Sequence, residues 1–320
     1  LRKFFSLSLL RMQHVRSLDA VHLEGSWVTI GSFDGVHLGH QAIIRRLVDG
    51  AHAQGLPAVV ITFFPHPSKV LKGNGSPFYL TTPEQRADIL SSLQVDLAVT
   101  LSFNKELAAL TADEFIGLLS ENLNLKRLLV GHDFALGRGR EGNFEVLGVL
   151  GKKYHYLLEG LSPLLVAGEL VSSSRIRELI SQGNVARAAE YLGRRYAVEG
   201  KVVPGDGRGR TIGIPTANLE IWEEQLIPAR GVYASIADTG SIEVPSVTNI
   251  GVRPTFENQS SQPRVETHLL NFNRDLYGTN LHLEFVDFLR PEQRFPSVQA
   301  LVDQIQTDIQ HAREVIPNVS

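Results

Sequence analysis

The hydrophobic pattern of this chain changes period near residues 185–196, and that change restricts the possible folds more than any other feature. Before it, short apolar runs alternate with helical signals. Trp27–Ile30 is a short apolar run. After it, Ile43, Ile44, Leu47, Val48 and Ala51 share one helical face, with Gly55 just beyond. Ala58–Phe63 is continuously apolar, as buried parallel strands are. Thr82–Gln85 and Thr111–Glu114 are capping-box patterns, opening one helix to about Leu93 and another through Phe115, Ile116, Leu118 and Leu119. Leu97–Thr100 and Leu128–Gly131 read as further strands, and two short helices near 174–182 and 184–192 close the first half, Asn184 capping the second and Gly193 stopping it. Strand–helix alternation predicts a doubly wound, Rossmann-like α/β sheet. From Tyr196 onward the period is two. Val265, Thr267 and Leu269 alternate with Glu266 and His268, and Leu281, Leu283 and Phe285 with His282 and Glu284, between turn signals such as DTGS and LYGTN. That predicts a small antiparallel β-barrel. A terminal helix over about 297–315 follows, with Val298, Leu301, Val302, Ile305 and Ile309 on its packing face.

Length agrees with two domains: 320 residues exceed what one core usually organises. The division expected is 14–187 and 188–320. The net charge of −3 argues against nucleic acid as a partner, because nucleic-acid binders carry a basic excess. The absence of cysteine excludes disulfides, thiolate metal sites and a cysteine nucleophile, and fits a cytoplasmic protein. No stretch reaches the roughly 18 apolar residues of a membrane span, so no membrane partner is expected. Residues 1–11 are basic and serine-rich. With Met12 the only methionine, they read as an extension that activity does not need. Nothing in the sequence specifies the oligomeric state.

Chemistry-bearing residues fall at strand ends and helix starts. The turn GSFDGVHLGH puts His37 and His40 on the first turn of a helix, where free amides and the dipole favour phosphate. Two imidazoles there can stabilise charge moving onto a leaving pyrophosphate, and Gly31 and Gly35 let the backbone approach a ligand. VSSSRIR offers hydroxyls, amides and guanidinium groups at a second helix start. FFPHP holds His66 between prolines, and GHDFALGRGREG follows the 128–131 strand. Each alone is weak evidence: an H-x-x-H is more often structural, and a serine cap is usually only a cap. A zinc site from His37, His40 and His66 is conceivable, though without the usual carboxylate or cysteine spacing.

The second half holds a glycine-rich stretch, GKVVPGDGRGRTIGIPTANL, with Gly205, Gly207, Gly209 and Gly213 able to lay amides on phosphates. Thr216 and Asn218 then point the same way in an extended segment, two neutral oxygen donors suited to a magnesium ion completed by phosphates and water. Glu266 and His268 share one face of RVETHLL. Glu266 can serve as a general base for a hydroxyl, or the pair can simply face solvent, which alternation alone favours.

Together these motifs resemble a known family. GSFDGVHLGH resembles the H-x-G-H signature of nucleotidyltransferases, and SSSRIR their S-S-T-x-x-R. TFFPHP and GHDFALG narrow this to the FMN adenylyltransferase module of bacterial FAD synthetases. GRGRTIGIPTANL, GVYA, TNIGVRPTF, VETHLLNF and DLYG…FVDFLRPEQRF are similar, in order and spacing, to the riboflavin kinase module. The resemblance implies that Gly31, Phe33, Asp34, His37, Gly39 and His40 hold ATP, that Ser172, Ser173 and Arg177 close the phosphate site, and that His66, Asp133 and Phe134 lie around the ligands. It implies that Thr216 and Asn218 bind Mg²⁺, that the 205–213 loop covers ATP, that Glu266 deprotonates the ribityl hydroxyl, and that Arg290 helps form a flavin site. Substrates would be riboflavin, FMN and ATP; products FMN and FAD. The chain departs from the family pattern at Ser32 (usually asparagine), Phe64 (glutamate), Ser174 (threonine) and Pro204 (a polar residue). Two other classes remain: a flavin- or nucleotide-binding protein without catalysis, which the intact set of motif residues opposes, and an RNA-binding β module, which the charge opposes.

Overall fold

In the computed structural model, the residues described are 12–19, 21–73, 75, 78–205, 207–251 and 263–316. The expectation about residues 1–11 and most of the TNIGVRPTF motif lie outside them. The chain divides into two compact units, Leu1–Gly75 with Thr81–Val171, and Ser76–Leu80 with Ser172–Ser320.

The first unit runs β1 (Gln13–Val15), β2 (Ser26–Ile30), α1 (Leu38–His52), β3 (Ala58–Phe64), α2 (Pro67–Lys72), α3 (Pro83–Ser92), β4 (Leu97–Ser102), α4 (Lys105–Ala109), α5 (Ala112–Leu123), β5 (Leu125–Gly131), α6 (Phe144–Tyr154), β6 (Leu157–Leu161) and a small hairpin, β7 (Leu165–Val166) and β8 (Glu169–Leu170). Six strands form one parallel sheet in the order β1-β4-β3-β2-β5-β6. Side chains alternate across it. Val28, Ile30, Val59 and Ile61 pack with α5 and α6 residues such as Phe115, Ile116, Leu147 and Leu150. Trp27, Ala58 and Val60 pack with Ile44, Leu47 and Val48 of α1 and Leu90 of α3. Helices therefore cover both faces, as the sequence period predicts. Both capping boxes form, with Thr82 and Gln85, and Thr111 and Glu114, bonding reciprocally. The chain leaves β2 toward β3 on one side and returns through β5 on the other. The carboxyl end of β2 is thus a topological switch point, the usual crevice of such sheets.

The second unit runs α7 (Ser173–Ser181), α8 (Val185–Leu192), β9 (Tyr196–Val203), α9 (Arg208–Thr211), β10 (Ala217–Ile221), β11 (Gly231–Asp238), β12 (Glu243–Gly251), β13 (Arg264–Leu269), β14 (Asn280–Arg290) and α10 (Val298–Val315). β10-β13-β12-β11-β14-β9 close into an antiparallel barrel. Ser235, Ser246, Thr248 and Thr267 are fully buried and satisfy one another in a hydroxyl chain of 2.6–2.9 Å contacts. α10 packs outside, Ile309, Ala312 and Ile316 meeting Val232, Ala234, Ile236 and Val247. The packing face expected for this helix forms from its second turn: Leu301, Val302 and Ile305 are half-buried and Ile309 buried, while Val298 at its start is 63% exposed. Asp308, buried beside that face, is held by Arg290. α8 packs on β9 and β14, with Asn184 capping it and Gly193 ending it in a left-handed conformation.

Candidate active sites

The turn after β2 is strained and pinned. Phe33 and Val36 have φ of 46° and 38°, a region that costs a non-glycine residue about 1–3 kcal/mol. Two ties hold it there. The carboxylate of Asp34, fully buried, accepts from the Thr81 amide at 3.2 Å, and the Thr81 hydroxyl accepts from the Gly35 amide at 3.2 Å. Arg86, also buried, donates to the Ser32 carbonyl at 2.6 Å and to Thr62 Oγ1 at 3.2 Å. Position 32 is thus used through its backbone.

His37 caps α1, its Nδ1 accepting from the His40 amide at 3.3 Å. With Nδ1 accepting, the neutral ring carries its proton on Nε2 and can donate it. The His40 ring stacks on His37 at a centroid distance of 3.6 Å and 17°, and Phe33 meets it edge-on at 5.1 Å. Gly39 permits the stack: a Cβ there would lie 3.2 Å from the His37 ring. Burial, then His37 and Arg86, push the His40 pKa well below 6.5. His40 Nδ1 is buried without a hydrogen-bond partner among the described residues, a cost of about 1–3 kcal/mol that a purely structural turn has no reason to carry. Gly31 follows β2 directly, its amide bonded to the Ile61 carbonyl at 3.0 Å.

The other candidates are more dispersed. His66 caps α2, accepting from the Ser68 amide at 3.1 Å. Among the described residues no three His, Asp or Glu side chains group to hold a metal, so His37, His40 and His66 form no zinc site. Asp133 is exposed and its carbonyl accepts from Arg140 at 2.9 Å, while Phe134 packs on the core of the first unit. Ser172, Ser173 and Arg177 belong to the second unit. Ser172 caps α7, accepting from the Arg175 amide at 3.3 Å, and Ser173 is its first residue. Arg177 donates to the Phe78 carbonyl at 2.9 Å and stacks 4.0 Å from the Phe78 ring centroid.

In the second unit the register of the barrel gathers a polar cluster on its outer face. Asn218 of β10 pairs with Glu266 of β13, which pairs with Asn249 of β12. Val265, Thr267 and Leu269 are buried on the opposite side of β13. Glu266 therefore points away from the barrel interior, and His268, on the same side, bonds the Pro215 carbonyl at 2.7 Å. Arg264 Nε lies 2.7 Å from Glu266 Oε1 and 2.7 Å from Asn218 Oδ1. The glycine-rich stretch is less open than its composition implies. It contains the turn α9, flanked by Gly207 and Gly213 at φ of 70° and 78°, and the Gly209 carbonyl accepts from the Ile214 amide at 2.8 Å. Thr216 lies beside Gly209. Gly205 runs so close to Asn218 that a Cβ would stand 2.1 Å from its Nδ2. Arg290 grips Asp308 through Nε and Nη2, at 2.9 and 2.8 Å, tying β14 to α10.

Sequence reasoning missed Thr81, Arg86, Arg264 and Asn249. Arg86 had a signal: it stands four residues before Leu90 on the inward face of α3. Arg264 and Asn249 had none until strand register was known.

Comparison with known proteins divides the chain as its motifs do. A family profile described as FAD synthetase matches residues 19–175, and one described as riboflavin kinase matches 192–316. The bifunctional riboflavin kinase/FMN adenylyltransferase of Escherichia coli (strain K12) is 38% identical over 94% of this chain and 96% of its own length. The protein of that name from Bacillus subtilis (strain 168) is 34% identical over 98% and 99%. A crystal structure described as a macrolide-efflux protein from Streptococcus pneumoniae superposes with a TM-score of 0.85 at 31% identity, over 94% of this chain and 98% of that one. Among the described residues no helix is long and apolar enough to cross a membrane.

Proposed function

This chain belongs to the bifunctional riboflavin kinase/FMN adenylyltransferase family, and on that premise we propose which side chains carry each of its two reactions. The enzyme phosphorylates riboflavin to FMN with ATP, then adenylylates FMN to FAD with release of pyrophosphate. One observation carries the residue assignment: the turn after β2 and the β10–β13 face each gather side chains suited to one step.

In the adenylyl transfer, an FMN phosphate oxygen attacks the α-phosphorus of ATP and the bond to pyrophosphate breaks. The amides at the start of α1 and the stacked imidazoles of His37, through its Nε2 proton, and His40 stabilise the leaving pyrophosphate. Gly31, Phe33, Asp34 and Gly39 shape that turn. Ser172, Ser173 and Arg177 form a further anion-binding set at the start of α7, and His66, Asp133 and Phe134 border the flavin. Support for this half is the strained turn, over-determined by Thr81 and Arg86, at the switch point of the sheet.

In the kinase step, Glu266 takes the proton of the ribityl hydroxyl as its oxygen attacks the γ-phosphorus, and ADP leaves. Mg²⁺ held at Thr216 and Asn218 would neutralise phosphate charge; neutral oxygens on one face, beside backbone lacking Cβ atoms, fit an ion that nucleotide phosphates complete. The 205–213 loop lies over the nucleotide. Arg290 braces the flavin side through Asp308. The functional boundary proposed is 187/188, within α8, while the compact units divide at 171/172. A cysteine-free chain acting on ATP and small molecules works in the cytoplasm, with neither nucleic acid nor membrane as partner.

The test is direct. Purified protein is incubated with riboflavin, ATP and Mg²⁺, and FMN and FAD are separated by chromatography. Both flavins should form in sequence; neither forming would refute the reading.

A further inference from the structure

The outer face of the barrel holds a contact that the two reactions do not require. Arg264 and Glu266 are two residues apart on β13 and share a face. Arg264 Nε is 2.7 Å from both Glu266 Oε1 and Asn218 Oδ1. One guanidinium nitrogen thus hydrogen-bonds the proposed metal-ligating oxygen and ion-pairs with the proposed base. The guanidinium is hemmed in: a Cβ on Gly205 would lie 2.8 Å from its Nη2. Its charge occupies the position from which a cation would draw on Asn218 Oδ1. Magnesium bonds oxygen at about 2.1 Å, which would bring it within roughly 5 Å of the guanidinium, with like charges opposed.

We propose that Arg264 is a positioning residue that closes the nucleotide-free kinase site, holding Asn218 and Glu266 together until a metal nucleotide displaces it from Asn218. After displacement the ion pair with Glu266 remains and orients the carboxylate. Metal affinity is thereby set partly by this chain's own cation. This rests on the assignment of Asn218 and Glu266 above.

The experiment measures Mn²⁺ binding to the full-length protein in the presence of ADP, from loss of the free-ion paramagnetic signal. Riboflavin phosphorylation is followed in parallel as a function of Mg²⁺. Removing a charge-assisted competitor is worth about tenfold in affinity at its lower end. Arg264→Gln should therefore bind Mn²⁺·ADP about tenfold more tightly and reach half-maximal phosphorylation at less Mg²⁺, while kcat falls because Glu266 has lost its partner. Should the glutamine variant not fold, Arg264→Met carries the test with the same signs, since methionine keeps much of the apolar stem and removes the charge. Unchanged or weaker Mn²⁺·ADP binding in a folded variant overturns the proposal. Asn218→Ala separates the two levels. If it weakens Mn²⁺ binding while Arg264→Gln does not strengthen it, only the role of Arg264 fails. If it leaves Mn²⁺ binding unchanged, the metal assignment fails and takes this inference with it.

Discussion

His40 is where burial, stacking and charge act on one side chain. Its depressed pKa keeps it neutral in the folded protein below pH 6.5, where the unfolded chain takes up a proton. The unfolded state then binds more protons, so this residue's contribution to stability is present above about pH 6.5 and declines as pH falls toward the folded pKa. His40→Ala should flatten that slope in urea unfolding followed between pH 5 and 7. It should also lower FAD formation about 10²–10³-fold while riboflavin phosphorylation persists; equal loss of both activities in a folded variant would contradict the assignment. Glu266→Gln should act in reverse. It keeps the shape and removes the base, so FMN formation should fall roughly 10²–10⁴-fold while supplied FMN is still converted to FAD. Normal phosphorylation would make Glu266 an ordinary surface carboxylate. At this scale a motif marked His37, His40 and Asn218 as candidates, and the structure shows the first two stacked and the third paired with Glu266 across the strands. The sequence was silent on Arg264, because a strand residue's partner on another strand follows from register, which no local pattern reveals.

Among the elements, those with local signals were legible. The capping boxes at Thr82 and Thr111 form as read, and Asn184 and Gly193 bracket α8. β1 and β6 escaped notice for a physical reason. β1 is three residues long, and β6, LLEGL, lacks a continuous apolar run; both are edge strands that pairing with β4 and β5 defines. α10 adds a feature that apolar spacing does not show. Beside its apolar face lies the Arg290–Asp308 pair, whose side chains are 17% and 5% exposed. Breaking such a pair leaves a charge poorly compensated, at a cost of about 3 kcal/mol. Asp308→Ala should therefore lower the denaturant midpoint by an amount equivalent to about 3 kcal/mol, with m unchanged. A change below 0.5 kcal/mol, roughly the range of ordinary surface substitutions, would show that α10 is anchored by its apolar contacts alone.

For the whole molecule, the sequence period changes near 185–196, whereas the compact units divide at 171/172 and the second also takes in a distant segment. The second unit includes Ser76–Leu80, far away in sequence. Tyr79 is fully buried and stacks on Trp222 at 5.1 Å; the Phe78 and Tyr79 amides donate to the Glu224 carbonyl at 2.8 and 2.9 Å, and the Leu226 amide donates to the Tyr79 carbonyl at 2.8 Å. The same unit includes α7 and α8, with Val185, Ala188, Tyr191 and Leu192 buried. A fragment of residues 190–320 loses the Tyr79 segment, α7 and most of α8. One of 172–320 loses only the Tyr79 segment. Each large apolar side chain removed from burial costs about 1.5–3 kcal/mol, against a total stability of about 5–15 kcal/mol. The shorter fragment should consequently be poorly soluble or unfolded, while the longer one folds with reduced stability, binds Mg²⁺·ADP and phosphorylates riboflavin. Urea unfolding and FMN formation on both fragments check this. Equal stability of the two would mean that the α8 contacts with β9 and β14 contribute nothing. A folded 172–320 fragment without kinase activity, beside an active full chain, would mean that the first unit takes part in the kinase step and that the two activities are not modular.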